Sequence, residues 1–85
     1  MLLHGWPQTW YEWRHVIGRL AGDFTVVAPD LRGFGYSGKP AAGYDAETMA
    51  ADLAALSDHL GLRDVTVVGH DWGEVFGYVT KLYAV

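Results

Sequence analysis

Asp71 is the residue best placed to do chemistry. It lies in Gly69-His70-Asp71-Trp72-Gly73, directly after the β-branched run Val65-Thr66-Val67-Val68 and directly before a helical pattern. Strand, Gly-x-Asp-x-Gly and helix together have the layout of a nucleophile elbow, with aspartate where serine is more common. Such a turn presents the carboxylate outward at the top of a sheet. It also sets the group at a helix N-terminus, where backbone N–H groups favour negative charge. Gly69 and Gly73 carry no Cβ, so backbone can turn tightly and strand and helix can pack closely. A carboxylate nucleophile suits attack on saturated carbon, at an epoxide or a carbon–halogen bond, and gives a covalent ester.

A second loop of the right kind lies upstream. His4-Gly5-Trp6-Pro7-Gln8 follows the apolar residues Leu2-Leu3. An oxyanion hole needs two backbone N–H donors that converge on one oxygen. The residue after an elbow nucleophile supplies one, here Trp72; the loop after an earlier strand supplies the other, here Trp6. Pro7 has no N–H and stiffens the loop in either its cis or its trans form. The rings of Trp6 and Trp72 flank the same place. They suit both the lining of an apolar substrate pocket and plain packing.

Positioning these loops requires a repeating order of elements. Leu2-Leu3 reads as the end of a strand. Thr9 caps a helix reaching about Gly22, with Trp10, Trp13, Val16, Ile17 and Leu20 on its apolar stripe. On that stripe Trp10 and Trp13 read as core. Phe24 to Ala28 reads as a second strand, apolar on both faces as in a buried parallel sheet. Residues 29–43 form a glycine- and proline-rich loop. Asp45 caps a helix from Ala46 to about Leu60, whose stripe is Met49, Leu53, Leu56 and Leu60, and Gly61 ends it. Val65 to Val68 is the third strand, and Gly73 to at least Leu82 the third helix. Strand-helix-strand-helix-strand-helix implies an α/β fold with a parallel sheet and right-handed crossovers. Ligands in such sheets bind beyond the carboxyl ends of the strands, where both loops lie.

Composition narrows the functional classes. The 85 residues carry a net charge of −4, so there is no basic footprint for nucleic acid. With no cysteine there is no disulfide, thiolate zinc site or thiol nucleophile. No histidine–carboxylate spacing suggests a metal, and no cofactor is implied. No apolar stretch approaches the ~20 residues of a membrane span. No charged leader precedes an apolar segment, and the expected location is cytoplasmic. A domain built on a large parallel sheet needs roughly 200 residues or more. One domain's N-terminal fragment is therefore expected over residues 1–85. The chain begins on the apolar run Met1-Leu2-Leu3, and Lys81-Leu82-Tyr83-Ala84-Val85 ends inside a helical pattern with no cap.

His4-Gly5-Trp6-Pro7-Gln8, Asp30-Leu31-Arg32-Gly33-Phe34-Gly35-Tyr36-Ser37 and Gly69-His70-Asp71-Trp72-Gly73 together resemble the α/β-hydrolase superfamily. Within it the chain is most similar to the α/β epoxide hydrolases. The motifs match in order and spacing across nearly the whole chain, but only over the front part of that family's catalytic domain. The resemblance implies a three-layer α/β-hydrolase-type parallel sheet, present only as a partial unit. It implies a small apolar epoxide as substrate. Asp71 would open it to an alkyl-enzyme ester, and a histidine paired with an acid would then activate water to release a vicinal diol. Tyrosines of a helical cap domain would protonate the epoxide oxygen. That histidine, its acidic partner and the cap all follow the nucleophile helix in the family, so the isolated chain is expected to be inactive.

The remaining motif residues have structural roles in this reading. His4 and His70 belong to the loop and the elbow and serve packing and hydrogen bonding, not base catalysis. Gly5 and Pro7 shape the first loop, and Asp30, Arg32, Gly33, Gly35 and Ser37 shape the second. Gly33-Phe34-Gly35-Tyr36-Ser37-Gly38 matches Gly-x-Gly-x-x-Gly formally. No helix opens after it, so a dinucleotide site is rejected. His15 and His59 are isolated on helices and read as solvated. Glu74 stands where the family has a small residue; it either crowds Asp71 and raises its pKa or points to solvent. Two alternatives remain: a haloalkane dehalogenase acting on a halide substrate, and a non-catalytic truncated product. Trp6, where dehalogenases often carry asparagine, favours the epoxide.

Overall fold

Two strands lie parallel and side by side: β1 (Leu2–Leu3) and β2 (Val68–Gly69), with Leu2 opposite Val68 and Leu3 opposite Gly69. The computed structural model describes the backbone of residues 1–83 and the side chains of residues 1–77. The expectation drawn from Ala84 and Val85 lies outside the described residues. Val68 N–H donates to Met1 C=O at 2.9 Å and His70 N–H to Leu3 C=O at 3.1 Å. In a strand, successive residues point their backbone groups to opposite sides. Leu2 N–H accordingly faces the other way and donates to Val27 C=O at 2.8 Å. Residues 24–28 thus flank β1 on the side away from β2.

That segment corrects the expectation of three strands, because among the described residues the sheet has two. A strand is defined by a ladder, and one bond from Leu2 does not make one. Nor is the segment buried on both faces: Phe24 is 65% exposed. The last strand also begins later than Val65. Val65 to Val67 run beside Met1 without entering the ladder.

The first helical region differs in a related way. Thr9 caps it as expected, its hydroxyl accepting from Tyr11 N–H, but Trp10–Trp13 form a 3-10 helix before α1 (Arg14–Leu20) begins. A 3-10 turn holds three residues rather than 3.6, so the stripe read at α-helical period rotates away from its face. Trp10 and Trp13 are therefore not core. None of the stripe is fully buried, and Trp10 is 36% exposed.

The second helix, α2 (Ala46–His59), follows its local signals closely. Asp45 Oδ2 accepts from Thr48 N–H at 3.0 Å and caps it. At the other end Gly61 has φ +65°, with Gly61 N–H bonded to Asp58 C=O and Leu62 N–H to Ser57 C=O. That is a Schellman closure, which needs a residue that tolerates positive φ. Met49, Ala50 and Leu53 are buried, whereas Leu60 at the frayed end of the stripe is exposed. The third helix, α3 (Trp72–Tyr83), packs on α2 and on both strands. Leu3, Leu31, Met49, Leu53 and Phe76 form the core between them. Among the described residues α1 approaches neither α2 nor α3. No helix of the described residues is long and apolar enough to cross a membrane.

Glycine sets the distance between α3 and the sheet. A Cβ on Gly73 would run into the backbone carbonyl of Leu3, and one on Gly69 into the backbone of Gly73. Backbone cannot move aside as a side-chain tip can. Gly73→Ala is expected to cost roughly 1–3 kcal/mol of stability, as overpacking does. Chemical denaturation measures it, and a loss within the scatter of surface substitutions would show that the helix can shift freely.

Candidate active site

Asp71 sits on the turn between β2 and α3 with φ +58°. This left-handed conformation costs a non-glycine residue of order 1 kcal/mol, although aspartate tolerates it better than most. The turn is closed by Gly73 N–H on His70 C=O at 2.9 Å and by Glu74 N–H on Asp71 C=O at 3.0 Å. The helix therefore starts immediately under the carboxylate.

The upstream loop meets this turn at close range. Trp6 N–H donates to Asp71 Oδ2 at 3.0 Å. The N–H groups of Trp72 and Trp6, Trp72 foremost, hold the Asp71 pKa below the ordinary value, with a smaller contribution from the nearby His70. Gly5 makes the approach possible, since a Cβ there would overlap Asp71 Cβ and lie 2.7 Å from His70 C=O. The Trp6–Pro7 peptide is cis, and Gln8 N–H closes the turn on Gly5 C=O at 2.9 Å.

His4 anchors the loop from beneath. It is fully buried, edge-on to Phe34 at 5.2 Å. Leu31 N–H donates to His4 Nε2 at 3.0 Å. That nitrogen is therefore the acceptor, so the proton is on Nδ1, which donates to Gly5 C=O at 2.9 Å. One imidazole thus ties Gly5 to the loop after residue 28.

The residues on either side of Leu31 fasten that loop elsewhere. Asp30 Oδ1 accepts from Trp10 N–H at 2.8 Å and Oδ2 from Tyr36 N–H at 2.9 Å, while Ser37 Oγ donates to Asp30 C=O. Gly35, at φ +52°, leaves the space that the Asp30 carboxylate fills. Gly33, at φ +85°, lies under Tyr44. Arg32 reaches α2 as a fork, Nε to Asp52 Oδ2 at 2.8 Å and Nη2 to Asp52 Oδ1 at 2.7 Å. Neither Arg32 nor Lys39, which caps carbonyls of its own loop, pairs with Asp71.

A cleft of about 290 Å³ opens next to the two loops, lined by Gly5, Trp6 and Trp72 but not by Asp71 itself. Trp6 and Trp72 stand at its edge, with Leu31, Phe34, Met49 and Phe76 behind them. Trp72 stacks on Phe76 at 6.2 Å. The two tryptophan rings stay 66% and 54% exposed, so they border the cleft rather than close it. Glu74 is exposed and does not act on Asp71, whose pKa is lowered, not raised. His15 and His59 are exposed on their helices.

Two contributors escaped the sequence reading. Asp52 sits on α2 and looks like an ordinary helix-surface acid, but it receives Arg32. Glu12, within the 3-10 helix, accepts from Gly5 N–H at 3.3 Å and pairs with His70 Nδ1 at 3.1 Å. Its one visible signal is an acidic residue inside an otherwise aromatic stretch, Trp10-Tyr11-Glu12-Trp13.

Over residues 1–73 the chain matches the model of the α/β hydrolase fold family, and it belongs to that family. Among relatives, it is 63% identical over 73 residues to the soluble epoxide hydrolase of Corynebacterium sp. (strain C12), covering 86% of this chain and 26% of that protein. It is 46% identical over 78 residues to epoxide hydrolase A of Mycobacterium tuberculosis, covering 88% and 24%. Two solved structures superpose closely. Epoxide hydrolase CorEH without ligand does so with TM-score 0.89 at 59% identity, over 92% of this chain and 28% of that one. Epoxide hydrolase VrEH1 from Vigna radiata does so with TM-score 0.90 at 41% identity, over 96% and 28%. The chain thus spans about a quarter of the length of these relatives.

The lowered Asp71 pKa has a direct consequence. The carboxyl is expected to titrate below the ordinary value of 3.8. Because the folded value lies under the unfolded one, the ionised form adds stability above the ordinary value. That stability is lost as pH falls through the depressed one. A carboxyl-carbon NMR titration gives the midpoint; one above 3.8 would mean that the two N–H groups do not hold the charge.

Proposed function

We propose that this chain is the nucleophile-bearing part of an epoxide hydrolase, with Asp71 as nucleophile and the N–H groups of Trp6 and Trp72 as its oxyanion hole. The observation that carries the reading is the convergence of those two donors on one carboxylate beside an apolar cleft. The names of the relatives support the substrate class.

In this reading Trp6 N–H fixes Oδ2, and Oδ1 attacks an epoxide carbon. The carbon–oxygen bond of the ring breaks and its oxygen takes a proton from an acid. Asp71 becomes an alkyl ester. Water, deprotonated by a base, then adds to the ester carbonyl carbon. The charge that develops on the carbonyl oxygen falls where Trp6 and Trp72 already donate, so no reorganisation is needed at that moment. Collapse breaks the acyl–oxygen bond, releases a vicinal diol and restores the carboxylate. Trp6 and Trp72 also form walls for the apolar part of the substrate. The acid and the base come from sequence beyond the stretch shared with the relatives. His4 cannot act as the base, because both its nitrogens are committed in the core.

A chimera tests this. Residues 1–73 replace the matching stretch of the Corynebacterium enzyme, and styrene oxide is the substrate. The chimera is expected to form diol, and the 85-residue chain alone to form none. Asp71→Asn in the chimera should lower kcat by about a thousandfold or more, as loss of a nucleophile does. Diol formation by the Asn variant at the parent rate would rule out the assignment.

A further inference from the structure

From the geometry around Asp71 we infer that Glu12 is a positioning residue, a clamp that sets the distance between the two turns supplying the oxyanion-hole donors. The inference rests on reading Asp71 as the nucleophile. Glu12 does not itself line the cleft, and its two hydrogen bonds go to Gly5 and His70 rather than to the Asp71 carboxylate. It acts on the residue before each functional one. Oε1 receives the N–H of Gly5, whose next peptide carries the Trp6 N–H. Oε2 receives Nδ1–H of His70, which precedes Asp71. The two arms span 7 and 58 residues of sequence, so one side chain joins loop and elbow directly.

Burial and exposure divide the two partners. The Glu12 side chain is 16% exposed and the His70 ring 63%. The carboxylate is therefore held in place, while the imidazole reaches in from the surface to meet it. The two bonds, 3.3 Å to Gly5 and 3.1 Å to His70, are longer than the usual charge-assisted ones, but bonding at both oxygens restricts the turning of the carboxylate. The Trp6 N–H to Asp71 Oδ2 bond is exposed, so on its own it competes with water. A tether on both sides of it keeps the donor aimed.

Reach and charge can be separated by substitution. Glu12→Asp keeps the charge but shortens the arm by one methylene, so it cannot span both partners within hydrogen-bond distance. Glu12→Gln removes the charge but keeps the reach: its oxygen still accepts from Gly5 N–H, the arm that aims the Trp6 peptide. The readouts are the Asp71 carboxyl midpoint and the pH dependence of the Trp6 amide proton, followed by NMR on the 85-residue chain. The clamp predicts that Glu12→Asp raises the midpoint by roughly half a pH unit or more, as a weakened bond to the carboxylate does. It also weakens the response of the Trp6 amide to Asp71 titration. Glu12→Gln should leave that response intact and should not raise the midpoint.

A purely electrostatic Glu12 predicts otherwise for Glu12→Asp. Removing its charge in Glu12→Gln would lower the midpoint, and Glu12→Asp would leave the parent value. An unchanged midpoint in Glu12→Asp, or a rise in Glu12→Gln equal to that in Glu12→Asp, overturns the inference. If Glu12→Asp does not fold, Glu12→Gln decides: a retained Trp6 response supports the clamp and a lost one refutes it. No epoxide enters this experiment, so its failure is distinct from failure of the catalytic reading.

Discussion

Everything at the site depends on backbone coming closer to backbone than a side chain would permit. Gly5 faces the Asp71 turn, Gly69 faces Gly73, and Gly73 faces the Leu3 carbonyl, each where a Cβ would overlap its neighbour. These contacts bring the end of β1, the end of β2 and the start of α3 to one point. Only then can the Trp6 N–H reach Asp71 Oδ2 at 3.0 Å. The proposed catalytic constellation is thus set by main-chain packing, and its donors are main-chain groups whose position does not depend on a rotamer.

The rest of the chain holds that point still. Three successive residues, Asp30, Leu31 and Arg32, fasten the long loop to the 3-10 helix, to His4 and to α2 respectively. His4 carries the restraint back to Gly5. Leu31 also enters the core beside Leu3, Met49 and Phe76, so the loop forms one side of the cleft wall. The same residues that stabilise the loop therefore shape the surface that an apolar substrate would meet. An aspartate with positive φ and a lowered pKa persists because these surroundings over-determine it.

What the sequence made legible was local. The elbow glycines, the Asp45 cap and the Gly61 closure each act within a few residues, so their types and spacing suffice. The alternation of strand and helix placed both loops at one end of the sheet. What stayed hidden was non-local or geometric. Residues 24–28 have strand composition, but a strand exists only through its ladder, and among the described residues a single bond from Leu2 links them to β1. The Trp10 and Trp13 stripe assumed an α-helical period that a 3-10 turn breaks. Asp52 and Glu12 find partners 20 and 58 residues away, which no spacing rule connects.

The central claim is that Asp71 becomes an ester whose carbonyl, not the substrate carbon, is attacked by water. A single turnover of the chimera in heavy-oxygen water, with enzyme in excess over styrene oxide, tests this directly. If water adds to the ester carbonyl, one heavy oxygen remains in the Asp71 carboxylate and the diol leaves with an oxygen from the protein. Fragment mass spectrometry is therefore expected to find the label in the peptide containing Asp71 and unlabelled diol in solution. Labelled diol with an unlabelled Asp71 peptide would mean that water attacks the epoxide itself, and would contradict the account.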